Sequence, residues 1–94
     1  MQVDKTDRFF AELEMIIDFI AQNSFKRAEQ FSSDLNNQMM NLPHFPYKCR
    51  QSSRSKDNDL RELVANGYVI PYRINTAKDR IEILGIFSEN EWNL

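Results

Sequence analysis

The sequence predicts an α+β fold in which an N-terminal antiparallel helical hairpin packs on one face of a small antiparallel β-sheet. Two observations lead to this fold class. Apolar residues recur at helical spacing through the first half of the chain, and they alternate along short segments of the second half. The chain has 94 residues, of which 41% are hydrophobic and 28% are charged. Because these values are typical of one globular domain, we assign residues 1–94 to a single domain.

Two apolar stripes predict the helical hairpin, over about residues 7–42. The first stripe has the period of one helix face: Phe9, Leu13, Ile16, Ile17 and Ile20. The second stripe has the same period: Ala28, Phe31, Leu35, Met39 and Leu42. Asn23 and Ser24 lie between them, where the Ser24 hydroxyl can cap the second helix, and Pro43 ends that helix because proline lacks an amide hydrogen. A connection this short makes the two helices antiparallel.

Strand-like segments separated by turns predict a β-meander over about residues 46–88, followed by a tail over residues 89–94. The four strand candidates are Tyr47–Gln51, Leu60–Val64, Tyr68–Ile74 and Arg80–Phe87. Asn66 and Gly67 form a strong turn signal, since both residues tolerate a positive φ. Pro71 cannot donate a hydrogen bond to a neighbouring strand, so we expect a bulge or an unpaired side at that position.

The sequence carries no recognisable catalytic, metal or cofactor motif. Cys49 and His44 are its single cysteine and single histidine, too few for a metal cluster of either type, and we expect Cys49 to be a buried, inert thiol on a strand. Glu12, Glu14 and Asp18 fall opposite the apolar stripe of the first helix, where carboxylates are usually solvated. We therefore expect no catalytic residue, no metal and no cofactor.

The compartment that the sequence favours is the cytoplasm. No apolar run approaches the ~20 residues that span a bilayer, and the N-terminus lacks the basic and apolar stretches of a signal peptide. We therefore expect a cytoplasmic protein that makes no membrane contact.

Positive charge is concentrated in the middle of an acidic chain. Residues 44–80 hold eight Lys/Arg against four Asp/Glu, whereas the whole chain carries a net charge of −2. This distribution favours an acidic protein partner over direct DNA binding. The alternative interpretation is that these lysines and arginines are solvated loop side chains without a partner-binding role. Because the planar fork of arginine binds carboxylates bidentately, the candidate partner-binding residues of this half are Arg50, Arg54 and Arg73.

The positions of four further side chains in the sequence indicate their roles. Arg61 shares its side of a strand with Leu63, so we expect it at the rim of the core, in a structural role together with Tyr68 and Tyr72. Trp92, in the tail, carries a large apolar surface whose burial would contribute roughly 2–3 kcal/mol. It either folds back onto the domain or anchors a partner, and we keep it as a fourth partner-binding candidate.

Three stretches of the sequence together resemble one known family. They are AELEMIIDFIAQNSFKRAEQF in the helical half, NLPHFPYKCRQ at the exit from the helices, and LRELVANGYVIPYRINTAKDRIEILGIF in the β half. Their order and spacing are similar to those of the RelE/ParE superfamily of bacterial toxins from type II toxin–antitoxin modules, and within it to the ParE-like branch. The resemblance covers roughly residues 7–92, after a short opening strand at Gln2–Lys5. It implies a helical hairpin on an antiparallel sheet, and a cognate antitoxin as partner in a hetero-oligomer.

Two activities occur in this superfamily, and residue types at a few positions separate them. RelE-like members cut messenger RNA on the ribosome, which requires a base, an acid and cations around the scissile phosphate. They place lysines at the positions matching Leu60 and Glu62. They also have an arginine where Val69 stands and a tyrosine or histidine near Ser88. The residues here imply that the ribonuclease apparatus is missing, and an acidic Glu62 would repel phosphate.

The resemblance therefore implies a ParE-like toxin that inhibits growth by contacting DNA gyrase rather than by acting as an enzyme. ParE-like members share the pattern seen in VIPYRI and an aromatic residue near the C-terminus, similar to Trp92. We expect an acidic or amphipathic antitoxin tail to wrap the hairpin and to add to the sheet. Two alternatives stay open: a ribosome-dependent messenger-RNA endonuclease with rearranged catalytic residues, and a degenerate toxin that binds only its antitoxin.

Overall fold

The computed structural model describes residues 1–89, and these form two helices and a sheet. The order of elements is β1 (Gln2–Lys5), α1 (Asp7–Asn23), α2 (Phe25–Asn41), a 3-10 turn (Leu42–His44), β2 (Arg50–Gln51), β3 (Leu60–Ala65), β4 (Tyr68–Asn75), β5 (Arg80–Ile83) and β6 (Phe87–Ser88). The predicted α+β class and the order of helices before meander are confirmed. The described helices fall short of the length and apolarity that crossing a bilayer requires.

The helical hairpin is set by two side-chain caps. The Thr6 hydroxyl accepts a hydrogen bond from the amide of Phe9 at 3.1 Å, at the start of α1. The Ser24 hydroxyl accepts from the amide of Arg27 at 3.2 Å, at the start of α2, which confirms the predicted cap. Because Ser24 alone separates the two helices, they turn back on each other and bury their apolar stripes against one face of the sheet.

The sheet is mixed, and the prediction of an antiparallel sheet was wrong in this respect. Its strand order is β1-β5-β4-β3-β2, with β6 also pairing with β4. The first strand runs parallel to β5, with Val3 opposite Ile81, while the other described strand pairs are antiparallel. This pairing covers the edge that β5 would otherwise expose and packs Val3 against the core.

The last predicted strand, Arg80–Phe87, is in fact two short strands that follow each other along the same side of β4. Tyr72 lies opposite Ile83 and Val69 lies opposite Phe87. Two residues of β4 therefore face the three residues 84–86, which is a β-bulge. Pro71 lies at this point, and its carbonyl accepts a hydrogen bond from the amide of Leu84 at 2.9 Å. The disturbance expected at Pro71 is confirmed.

A carboxylate of α1 holds the bulge in place. The Glu12 side chain accepts a hydrogen bond from the amide of Ile86 at 3.1 Å, so the expectation of a solvated carboxylate was wrong for this residue. A Cβ atom at position 85 would stand 2.6 Å from the Glu12 Oε1 atom. A side chain at position 85 would therefore have to displace the Glu12 carboxylate, and the φ of Gly85 is not unusual.

The first β segment is shorter than predicted, because most of it is held in turns. Only Arg50 and Gln51 pair with β3, whereas the amide of Lys48 donates to the carbonyl of Phe45 at 3.0 Å. Cys49 consequently precedes the strand and is half-buried, so the expectation of a buried thiol on a strand was wrong. The Asn66-Gly67 turn is confirmed, with φ of 54° and 82° at its two residues.

The contact between Glu12 and the bulge predicts a non-additive pair of substitutions. Glu12→Ala removes a charge-assisted hydrogen bond and should lower the free energy of unfolding by about 1–2 kcal/mol. Gly85→Ala should cost a similar amount, because the added methyl group displaces the Glu12 carboxylate. In the Glu12→Ala background the same Gly85→Ala change should cost close to nothing. Urea unfolding of the four proteins measures this coupling, and strictly additive losses would contradict the proposed contact.

Candidate partner-binding surfaces

The sheet face that the helices leave open carries a buried carboxylate. Glu62 is only 5% exposed, and it accepts hydrogen bonds from Arg50 Nε at 3.0 Å and from the Ser52 hydroxyl at 3.1 Å. A buried charge is tolerated only when it is paired and hydrogen-bonded. The pair therefore fixes the position of Arg50, whose side chain remains 55% exposed.

Two of the predicted arginines meet in one pocket, which we call the arginine pocket. It has a volume of about 280 Å³ and is lined by Arg50, Ser53, Arg54, Glu62, Val69, Phe87 and Glu89. The guanidinium carbon of Arg54 lies 4.6 Å from the centroid of the Phe87 ring, a cation–π distance. These cationic forks beside an aromatic ring can bind a partner's carboxylate, and the neighbouring Glu62 and Glu89 lower the net positive charge of the pocket.

Arg73 lies on the same open face but is not part of the arginine pocket. It stands opposite Leu60 on β3, and its Nη1 donates to Asp57 Oδ2 at 2.5 Å. The amide of Asp59 also donates to Asp57, at 2.9 Å. These two donors, the backbone amide first, hold the pKa of the Asp57 carboxyl below its ordinary value. The charge of Arg73 is thus directed at the loop before β3.

The residues predicted to be structural lie at the rim and in the core. Arg61 donates to the carbonyls of Asn58 at 2.9 Å and Cys49 at 3.1 Å, and so ties the loop on each side of β2 to the sheet. The Tyr72 hydroxyl donates to the carbonyl of Pro46 at 2.6 Å, and burial raises the pKa of this phenol. The Tyr68 ring makes an edge contact with Phe31 of α2, at 5.3 Å between centroids.

An apolar groove beside α1 was not predicted. It has a volume of about 360 Å³, and its lining includes Met15, Ile16, Phe19, Tyr68, Ile86 and Phe87. Met15 is 74% exposed and Phe19 is 64% exposed, although both are large apolar side chains. The signal in the sequence was Phe19, an apolar residue outside the stripe of the first helix. Because Phe87 also lines the arginine pocket, the α1 groove and the arginine pocket adjoin.

Trp92 lies outside the residues that the structure describes. Over residues 1–89, no group of three or more histidine, cysteine or acidic side chains is arranged to hold a metal ion. At the positions where the resemblance to RelE-like enzymes implies cations, this chain holds Leu60, the buried Glu62 and Val69.

Comparisons with known proteins agree with this architecture. A family model described as the ParE toxin of the type II toxin–antitoxin system, parDE, matches residues 3–91. The chain belongs to the ParE toxin family. No curated protein sequence matches this ParE-family chain significantly.

Two solved structures resemble this ParE-family toxin in fold. One is described as the chromosomal ParDE TA system from P. aeruginosa, with a TM-score of 0.73, 21% sequence identity, and coverage of 94% of this chain and 95% of that chain. The other is a conserved hypothetical protein of Helicobacter pylori, HP0892, with a TM-score of 0.53, 15% identity, and coverage of 98% of both chains. At these identities the likeness shows a shared fold.

The position of Asp57 predicts a pH-dependent contribution to stability. Because its pKa in the folded protein lies below the ordinary value of 3.8, the carboxylate stabilises the native state at higher pH. This contribution is lost as the pH falls below 3.8 and through the folded-state pKa. Asp57→Asn should therefore lower the melting temperature at about pH 7, and the difference from the wild type should shrink towards about pH 3. A difference that is equal at both pH values would contradict this role.

Proposed function

We propose that this ParE-family toxin inhibits DNA gyrase by protein–protein contact and is neutralised by a cognate antitoxin. The observation that carries the proposal is the buried Glu62 on the open face. A phosphodiester-cleaving site needs cations at the phosphate, whereas here Glu62 binds the neighbouring Arg50. What supports an antitoxin partner is membership of the ParE toxin family and the ParDE system among the structural neighbours.

The surface that best suits the antitoxin joins the α1 groove to the arginine pocket. An amphipathic antitoxin segment would place apolar side chains against Met15 and Phe19, and carboxylates near Arg50 and Arg54. Phe87 lines both sites, so one continuous segment can reach them together. Exposed apolar side chains of this size are typical of interaction sites. Trp92 remains a candidate anchor in this proposal.

The gyrase proposal predicts a specific pattern of activities for the purified protein. Gyrase supercoiling of relaxed plasmid should be inhibited when the protein is added, and an equimolar amount of the antitoxin should restore it. Translating ribosomes given the same protein should yield no discrete messenger-RNA cuts in primer extension, because the cations that such cleavage uses are replaced. This proposal includes a toxin that acts in the cytoplasm, where gyrase acts on DNA.

Controls make these two assays decisive. The antitoxin alone should leave both reactions unchanged, and a heat-denatured toxin should do the same. Protein-dependent cuts at the ribosomal A site would establish the endonuclease instead. Antitoxin binding without effect in either assay would establish the degenerate toxin.

The arginine pocket predicts a salt-dependent association with the antitoxin. The double change Arg50→Gln and Arg54→Gln removes two charges, while the glutamine at position 50 keeps an N–H donor for Glu62. The association rate constant should fall about tenfold at low salt, and the loss should shrink at ~0.5 M salt as the field is screened. Surface plasmon resonance at several salt concentrations measures both effects.

Arg73→Gln is the matched control for that experiment. Arg73 does not line the arginine pocket, so its change tests the effect of a lost arginine charge elsewhere on the open face, and the association rate should change less than about twofold. Unchanged association of the double variant at low salt would refute the electrostatic part of the proposal.

A further inference from the structure

The two helices leave a pocket at the end of the hairpin where α1 turns into α2, and we call it the hairpin pocket. It has a volume of about 310 Å³ and is lined by Phe19, Ile20, Asn23, Arg27 and Phe31. Three of these side chains are large and apolar, and Phe19 is 64% exposed. A pocket with apolar walls and one arginine suits an aromatic side chain, because the guanidinium can lie over the face of the ring.

The last described strand runs towards the hairpin pocket. Ser88 of β6 lies opposite Tyr68, and the amide of Glu89 donates to the carbonyl of Gly67 at 2.9 Å. The chain is therefore passing the first residue of β4 where its described part ends. Because the Tyr68 ring makes an edge contact with Phe31, which lines the pocket, the chain leaves β6 beside the end of the helical hairpin.

The first helix runs alongside this part of the chain in the same direction. The Glu12 carboxylate binds the amide of Ile86, and one helical turn or two further on Phe19 and Ser88 line the α1 groove together. The following turn of α1 contributes Asn23 to the hairpin pocket. A tail that keeps the direction of β6 therefore meets this pocket next.

Trp92 is close enough in sequence to reach the hairpin pocket. It follows Ser88 by four residues, which span roughly 13 Å when extended, whereas Phe19 and Asn23 are only about 6 Å apart along the helix axis. Side chains of an extended segment alternate between its two faces. An extended tail would thus place Trp92 on the same face as Ser88 and Tyr68, which is the face that bears the helices.

The charge at the end of the helical hairpin also suits this tail. Residues 89–94 include two glutamates, Glu89 and Glu91, and neither lysine nor arginine. The first turn of α2 contains Lys26 and Arg27 and no acidic residue, although a helix N-terminus favours negative charge. The ion pairs within residues 1–89 involve neither of these two cations. An acidic tail is therefore attracted to this end of the molecule.

We propose that residues 90–94 of the free toxin fold back over the end of the helical hairpin and that the Trp92 ring occupies the hairpin pocket. The ring would pack against Ile20 and Phe31, with the Arg27 guanidinium over its face. This inference goes beyond the proposed function, because it concerns the toxin before a partner binds. Since Phe19 lines both the hairpin pocket and the α1 groove, the docked ring would close one end of the groove.

The fluorescence of the free toxin tests this inference, because Trp92 is the single tryptophan of the sequence. Its emission should be blue-shifted relative to the urea-unfolded protein, and its acrylamide quenching constant should be at least ~2-fold lower, since the ring is buried. A smaller difference in the quenching constant would overturn the inference.

Arg27→Glu tests the contribution of the pocket's cation. The change removes the guanidinium and repels Glu91, so the quenching constant should rise towards that of the unfolded protein. An acidic residue in the first turn of a helix is favourable, so the variant should fold. The matched control is Lys78→Glu, which makes the same charge change in the turn between β4 and β5, and its quenching constant should equal the wild-type value. Equal quenching constants for the two variants would overturn the inference.

Nuclear Overhauser contacts locate the ring without any substitution. The indole protons of Trp92 should show contacts to the methyl groups of Ile20 in the free toxin. The absence of these contacts would overturn the inference even if the ring is shielded. Contacts to the methyl group of Met15 in their place would assign the ring to the α1 groove.

Dilution separates docking within one chain from exchange of tails between two copies. Docking within one chain predicts a quenching constant that is independent of protein concentration. A constant that rises on dilution would show that the tail occupies a second copy and would overturn the inference. These measurements use neither antitoxin nor gyrase, so their outcome is independent of whether the proposed function holds.

Discussion

The missing amide hydrogen of Pro71 in the central strand is the constraint around which the rest of the sheet is arranged. No neighbour can accept a hydrogen bond from that position, and the facing chain bulges over residues 84–86 instead. The bulge shifts the register of β6 by one residue and brings the Phe87 ring to the open face, between the arginine pocket and the α1 groove. Glu12 completes the arrangement by binding the amide of Ile86.

The buried carboxylate of Glu62 also determines the character of the open face. The positive charge that the sequence concentrates in this half is partly neutralised by two ion pairs. Glu62 binds Arg50, and Asp57 binds Arg73. The face is therefore a set of paired charges with exposed arginine ends, which suits recognition of a partner's carboxylates better than stabilisation of a crowded phosphate. This distribution is the physical basis for proposing an interaction protein instead of a nuclease.

Local signals account for what the sequence could predict. The cap at Ser24 and the Asn66-Gly67 turn depend on neighbouring residues, so the hairpin and the first strand turn follow from the sequence. The parallel pairing of β1 with β5 joins residues nearly eighty positions apart. The local pattern of apolar residues does not indicate such a long-range pairing. The same holds for the contact of Glu12 with the bulge. The sequence indicated the concentration of arginines at the candidate site. It did not indicate that Arg50 pairs with Glu62 and Arg73 with Asp57, because these pairs depend on how the strands align.

We propose that the antitoxin binds the surface around Phe87 that the bulge creates. The most direct measurement is photo-crosslinking with p-benzoylphenylalanine in place of Phe19, an exposed ring of the α1 groove, in the toxin–antitoxin complex. The matched control carries the same group in place of Glu82, on β5 at the far side of the open face. We expect a covalent toxin–antitoxin product from position 19 and none from position 82. A product from position 82 and none from position 19 would contradict it.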